Sequence, residues 1–277
     1  MSTATIQRQY DELIADNYDA DPQGLTGKAL DRALDQLADA GCLAGDGDLK
    51  SIDVGMGTGL FFDKLASRTD REIGPYGIDL SQRMLEIAHE RIPELRYAVD
   101  DAANLDDHFV EDLFDLACTH FITGFVPLAD LAPVIWNKLQ PGGYWSFVGA
   151  SSDAFPGLQK RASSKLIQML VGKRSSNLDE LITPNDQSAV EGIFRGSGFE
   201  VVAAETFQPR LSFQNFREFM EFAYLGGWLT PFIEELGLQK APPYLRMLLN
   251  RFFFPMQDHH TIVLGVARKP LEVGAAE

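Results

Sequence analysis

Cysteine is nearly absent: Cys42 and Cys118 are the only two in 277 residues. Two distant thiols exclude a disulfide framework and a cysteine metal knuckle, and they suit the reducing setting of the cytoplasm. Basic residues are outnumbered, 24 Lys and Arg against 40 Asp and Glu, for a formal charge of −16. That balance lacks the basic stripe of a phosphate-tracking surface, so no nucleic-acid partner is expected. No apolar run reaches the roughly 18 residues of a membrane-spanning helix. The opening stretch MSTATIQRQYDELIADNYD has no apolar core of signal-peptide length. Metal-ligand spacing is missing too: HERIP lacks the second histidine of H-E-x-x-H, and no metal site is expected. What remains is a globular cytoplasmic chain, monomer or homodimer, whose 45% apolar content can bury a sizeable core.

Residues 3–40 read as two helices broken near DADPQG, with Ala29, Leu30, Ala33, Leu34 and Leu37 at helical spacing. The rhythm then changes. Short apolar strands (LKSIDVG, PYGIDL, LRYAVD, LFDLACTH) alternate with helical stretches, one of them capped by Ser81. A turn, QPGG, leads into the strand YWSFVGA. Such alternation indicates parallel βαβ units and a sheet covered on both faces. Farther along come helices at 157–172 and 185–198, the strand FEVVAAETF, an aromatic, helical span at 209–258 and a last strand, TIVLGVARK. The expected organisation is a helical segment at 1–45, an α/β domain at 46–270 with an insertion at 209–258, and a frayed tail at 271–277.

The stretch SIDVGMGTGLF carries Gly55, Gly57 and Gly59 where a buried strand turns into a helix. Glycines there allow positive φ and let a ligand approach the main chain. A dinucleotide fingerprint, G-x-G-x-x-G/A, would require a small third residue, but the two possible registers place Leu60 or Phe62 there. The phosphate loop ending in G-K-[ST] is absent.

The stretch instead resembles motif I of the class I S-adenosylmethionine-dependent methyltransferases, an acid–x–G–x–G–x–G pattern read here as Asp53, Gly55, Gly57 and Gly59. The resemblance implies a doubly wound seven-stranded sheet, mostly parallel with an antiparallel last strand, helices on both faces and helical lid insertions. It implies S-adenosyl-L-methionine as cofactor, with Met56 in the loop that wraps its methionine end. By the same resemblance, Asp79 accepts from both ribose hydroxyls, Leu80 and Met84 pack on the adenine, and Asp101 with Ala102 meets the adenine edge. Asp100 competes with Asp101 for that role. Tyr10 and Tyr18, eight residues apart and hence near one helix face, resemble the tyrosines of a closing helix.

In open α/β sheets ligands bind where strand order reverses. For this family that places the glycine loop opposite the end of LACTHF, bringing Thr119 and His120 near the reactive methyl. His120 is the first candidate base, with a structural histidine as the alternative. Asp258, His259 and His260 form a second candidate group at the start of the last strand. Adjacent strand side chains point to opposite faces, so at most one of these two histidines faces inward. The aromatic insertion would roof an apolar or aromatic small-molecule acceptor for O-, N- or C-methylation, as in secondary metabolism. The back half also loosely resembles a carboxyl methyltransferase acting on a carrier-protein-bound acyl group. An NAD-type oxidoreductase and an S-adenosylmethionine-binding protein without methyl transfer are the remaining alternatives.

Overall fold

The computed structural model describes residues 2–110, 112–162 and 183–271. Seven strands form one sheet: β1 (Leu49–Val54), β2 (Ile73–Asp79), β3 (Arg96–Val99), β4 (Phe114–His120), β5 (Leu139–Ala150), β6 (Glu200–Phe207) and β9 (Ile262–Arg268). Their order is β3-β2-β1-β4-β5-β9-β6, with β9 antiparallel to both its neighbours and the other pairs parallel. This is the mostly parallel, doubly wound sheet that the motif implies. Strand order reverses between β1 and β4, so the carboxyl ends of those two strands flank a crevice.

Both faces of the sheet are buried, as continuous apolar strands require. On one face lie α2 (Leu25–Asp39), α3 (Leu60–Ala66) and α4 (Gln82–Arg91), joined through Leu34, Phe62 and Leu85. On the other lie α5 (Leu128–Lys138) and α7 (Gln187–Gly196), which close over Trp145 and Phe147 through Ile135 and Phe194. Ser81 caps α4 by accepting from the Met84 N–H at 3.1 Å. The N-terminal segment runs as α1 (Thr3–Gln9), a π-helical turn at Tyr10–Ile14 and 3-10 turns to Ala20. It breaks at Asp21, whose left-handed backbone (φ 34°) lets its carboxylate accept from the Leu25 and Gly27 N–H groups at the start of α2.

Two sequence expectations change. QPGG is not a free turn but a bulge inside β5: Phe114 pairs with Leu139 while Leu116 pairs with Tyr144. The span 209–258 is not helical throughout. Its two ends pair as a small antiparallel sheet, β7 (Arg210–Phe213) with β8 (Met256–His259), and α8 (Phe216–Met220), α9 (Thr230–Leu236) and α10 (Pro243–Phe253) are strung between them. The helix expected at 157–172 is described as α6 (Pro156–Ala162); its remainder lies outside the described residues, as does 272–277 of the expected tail. The insertion aromatics Phe213, Phe219 and Phe222 are buried together, so their helical spacing reflects packing onto the fold.

Gly77, in the middle of β2, lies under the Met56 side chain, and a Cβ there would overlap Sδ. Gly77→Ala is therefore expected to lower folding stability by about 1–3 kcal/mol through overpacking. Urea denaturation checks this, and an unchanged midpoint would contradict the packing described.

Candidate active site

The glycine loop is held by backbone and by one carboxylate. After Val54 the chain turns sharply, with φ of +76° at Gly55 and +56° at Gly57. The Gly55 and Met56 N–H groups donate to the Ile78 carbonyl at 2.8 and 3.2 Å, folding the loop over the end of β2. Gly57 N–H donates to Asp79 Oδ2 at 2.8 Å, and Ser81 N–H donates to Asp79 Oδ1 at 2.9 Å. A Cβ at Gly55 would meet Ile122 Cδ1 at 2.8 Å, so glycine is required there for close approach as well as for φ.

This loop borders a cavity of about 170 Å³. Its walls include Gly55, Gly57, Asp79, Leu80 and Met84 on one side and Asp101 with Ala102 on another. Tyr10 and Tyr18 close it from the N-terminal segment. A smaller recess of about 30 Å³ continues past the loop to Asp53, Met56 and His120. Asp101, not Asp100, borders the main cavity. Asp100 turns away: its oxygens take the Asn104 amide at 2.9 Å and His108 Nε2 at 2.9 Å, contacts that hold its carboxyl down at about 2.

Burial dominates the electrostatics. Asp53 is almost fully enclosed, its Oδ1 has no hydrogen-bond partner among the described residues, and burial, with Asp79 nearby, pushes its carboxyl up to about 8. Asp79 is raised by burial too, against the lowering effect of the Ser81 and Gly57 N–H groups. His120 Nε2 is 3.0 Å from Ser146 Oγ, its Nδ1 has no partner among the described residues, and burial pushes the ring down to about 3. It is a neutral imidazole at physiological pH. The Tyr10 and Tyr18 hydroxyls are pushed well above the ordinary tyrosine range by burial and stay protonated.

Four expected site residues lie elsewhere. Thr119 is fully buried on the opposite face of β4 from His120, and its Oγ1 accepts from the Trp145 indole N–H at 2.9 Å. Gly59 starts α3 and borders neither the cavity nor the recess: a Cβ there would press on Ile92 and Ala88 of the α4 region at 3.1 and 3.3 Å. His259 pairs with Arg210 in the small sheet and lines no cavity described here. Asp258 is likewise structural, accepting from Gly157 N–H at 2.9 Å and Leu158 N–H at 2.7 Å at the start of α6.

A second cavity, about 110 Å³, adjoins the first and shares Tyr10, Tyr18, Phe121 and Phe125 with it. Its remaining walls include Phe155, Trp228, Phe232 and His260. Phe121 and Phe155 both hold left-handed backbones, φ 60° and 54°, a strained geometry for bulky residues that clusters at functional sites. Neither carries a sequence signal. Trp228 follows the pair Gly226–Gly227, whose second glycine holds a positive φ of 85° and could have signalled a bend in that wall.

These residues fit the cofactor that the motif implies. Asp79 keeps lone pairs open to the cavity for a diol, Asp53 presents an unpartnered acceptor for an ammonium group, and Met84 and Leu80 offer apolar packing. Loop and strand order together define a class I S-adenosylmethionine-dependent methyltransferase fold. Residues 52–143 match the family model described as a methyltransferase domain, and S-adenosyl-L-methionine is the cofactor of that domain. The chain thus carries a methyltransferase domain over residues 52–143.

Solved structures share the fold at low identity. The YcgJ protein of Bacillus subtilis aligns with a TM-score of 0.55 at 15% identity, covering 87% of this chain and 99% of its own. The plantazolicin methyltransferase BamL, solved with a triazolic desmethyl analogue and S-adenosylhomocysteine, gives 0.54 at 12%, covering 96% and 95%. A protein that converts a disulfide bond into a thioacetal group in echinomycin biosynthesis gives 0.52 at 14%, covering 98% and 94%. No curated protein matches the chain. Among the described residues no helix is long and apolar enough to cross a membrane, and no cluster of metal-ligating side chains occurs.

Because Asp79 both organises the loop and borders the cavity, Asp79→Ala is expected to weaken S-adenosylhomocysteine binding at least tenfold. Titration calorimetry checks this, and wild-type affinity would remove the residue from the site.

Proposed function

We propose that the protein transfers a methyl group to a small, mainly apolar or aromatic acceptor held in the second cavity. The observation carrying this reading is the shared wall: Tyr10, Tyr18, Phe121 and Phe125 border both cavities, so a donor in one and an acceptor in the other would meet. When bound, S-adenosyl-L-methionine supplies an activated sulfonium methyl group for in-line displacement. The chain's task is then alignment and exclusion of water, and orientation alone is worth about 7–11 kcal/mol. Residues 1–45 act as a lid through Tyr10 and Tyr18, and the insertion at 209–258 forms the acceptor roof through Trp228 and Phe232.

In this reading Asp79 orients the ribose, Leu80 and Met84 pack on the adenine, Asp101 and Ala102 meet its edge, and Asp53 with His120 borders the amino-acid end. His120 serves there as a neutral hydrogen-bonding group: a ring held down at about 3 is a weak proton acceptor. The carboxyl-methylating alternative is disfavoured. Among the described residues no Lys or Arg lines the second cavity to meet a carboxylate, and a chain of charge −16 repels an acidic carrier protein. The dinucleotide alternative is disfavoured by Leu60 and by buried Phe62 at the positions that would need to be small.

Incubation with methyl-labelled cofactor and a panel of neutral aromatic and aliphatic metabolites tests the reading. Label is expected in an apolar acceptor; label only in charged acceptors, or in none, would contradict it.

Asp53 gives a pH signature. With its carboxyl raised from 3.8 to about 8, it carries a proton at pH 7 in the free protein. That protonation favours the fold most fully below the unfolded value and is lost as pH rises through about 8. An ammonium group beside it favours the carboxylate, so binding expels the proton. S-adenosylhomocysteine affinity is therefore expected to rise between roughly pH 6 and 8, by up to tenfold per pH unit for one released proton. Calorimetry in buffers of different ionisation enthalpy measures this release. It is expected to vanish in Asp53→Asn; a flat wild-type profile would contradict the assignment.

A further inference from the structure

His260 is the most conspicuous polar group that the cofactor reading leaves unused. It is 1% exposed, borders the second cavity, and neither ring nitrogen has a hydrogen-bond partner among the described residues. Its ring stacks on Phe155 at 4.3 Å with an interplanar angle of 19° and meets the Trp228 ring at 5.1 Å and 76°. These contacts fix the plane of the imidazole while leaving its polar edge unsatisfied. An unsatisfied buried polar group costs about 1–3 kcal/mol, so a ligand that completes it gains correspondingly. Thr183 Oγ1, on the same cavity, is also buried without a partner among the described residues.

The charge of the partner follows from the lining. Among the described residues no Lys, Arg, Asp or Glu borders this cavity. Among these residues a carboxylate or phosphate would find no cation and an ammonium no anion, and each would lose its hydration without compensation from them. Burial, with His259 nearby, pushes the His260 ring down to about 3, so it offers no positive charge either. A neutral imidazole presents one N–H donor and one nitrogen acceptor, and a threonine hydroxyl likewise does both. The complementary group is neutral and both donates and accepts: a hydroxyl. The surrounding walls, Phe121, Phe155, Trp228 and Phe232, suit a flat apolar ring.

We propose that His260, with Thr183, binds a hydroxyl group of a neutral aromatic acceptor and selects it over anionic and cationic analogues. This rests on the second cavity being the acceptor site, as proposed above. His260 is here an acceptor-binding residue that sets specificity. Sites built to hydrogen-bond a hydroxyl discriminate strongly against analogues that lack it, because their own buried groups are then left unpaired.

The test uses full-length protein saturated with S-adenosylhomocysteine and four probes of one ring size: 2-naphthol, naphthalene, 2-naphthoate and 2-(aminomethyl)naphthalene. Titration calorimetry is expected to show 2-naphthol binding at least tenfold more tightly than each of the others. His260→Leu is expected to remove that preference while leaving S-adenosylhomocysteine affinity unchanged, and His260→Gln, which keeps a donor and an acceptor, to restore part of it. Naphthoate or the ammonium probe binding as tightly as naphthol, binding of none of the four, or a preference that survives His260→Leu would each overturn the proposal. The probe series on the unaltered protein decides the matter even if the leucine variant does not fold. Failure here with label still transferred to an apolar acceptor sinks only the His260 assignment; absence of transfer to any acceptor sinks the functional reading itself.

Discussion

The carboxylate of Asp79 is the interaction on which the site depends. At the carboxyl end of β2 it accepts the Gly57 N–H through one oxygen and the Ser81 N–H through the other, tying the glycine loop to the start of α4. Without it two backbone N–H groups at the sheet edge would lose their partner, and the positive-φ path of residues 55–57 would lose its brace. Because the same carboxylate borders the main cavity, the group that shapes the loop is also available to a ligand. Its raised proton affinity reflects the balance: burial disfavours the charge, and two backbone donors partly restore it.

The acidic N-terminal segment is docked onto this frame by similar bonds. Asp11 accepts from Ser81 Oγ at 2.6 Å and from the Arg83 N–H at 3.1 Å, beside the Asp79 contact. Asp19 accepts from Thr58 Oγ1 at 2.6 Å and pairs with Arg91, whose guanidinium also donates to the Thr58 carbonyl at 2.8 Å. Asp16 takes Arg83 on the surface. Part of the chain's negative charge is thus spent on seating Tyr10 and Tyr18 over the cavity. Exposed ion pairs of this kind are individually weak.

Much of the fold was legible because it follows from period and punctuation. Buried parallel strands read as apolar runs, Ser81 announces a helix start, and glycines 55 and 57 mark a bend that other residues tolerate poorly. What was misread depends on contacts between distant segments. Strand order brings the end of β4 to the site, yet strand alternation sends the Thr119 hydroxyl to Trp145 and the His120 side chain towards the cavity wall. His259 and His260 do part as alternation leads one to expect, one in the β7–β8 pair and one at the second cavity, but which of them faces the cavity had no local signal. The pairing of residues 210–213 with 256–259 spans an entire insertion and has no local signature. Nor do the left-handed Phe121 and Phe155, whose backbones are set by tertiary packing rather than by residue type.

The most direct test is a crystal structure of the protein with S-adenosylhomocysteine. The account requires both ribose hydroxyls within hydrogen-bonding distance of Asp79, and the sulfur on the side of Tyr18 and Phe121, where the two cavities adjoin. A ligand bound away from the glycine loop, or one whose sulfur faces away from the second cavity, would contradict it.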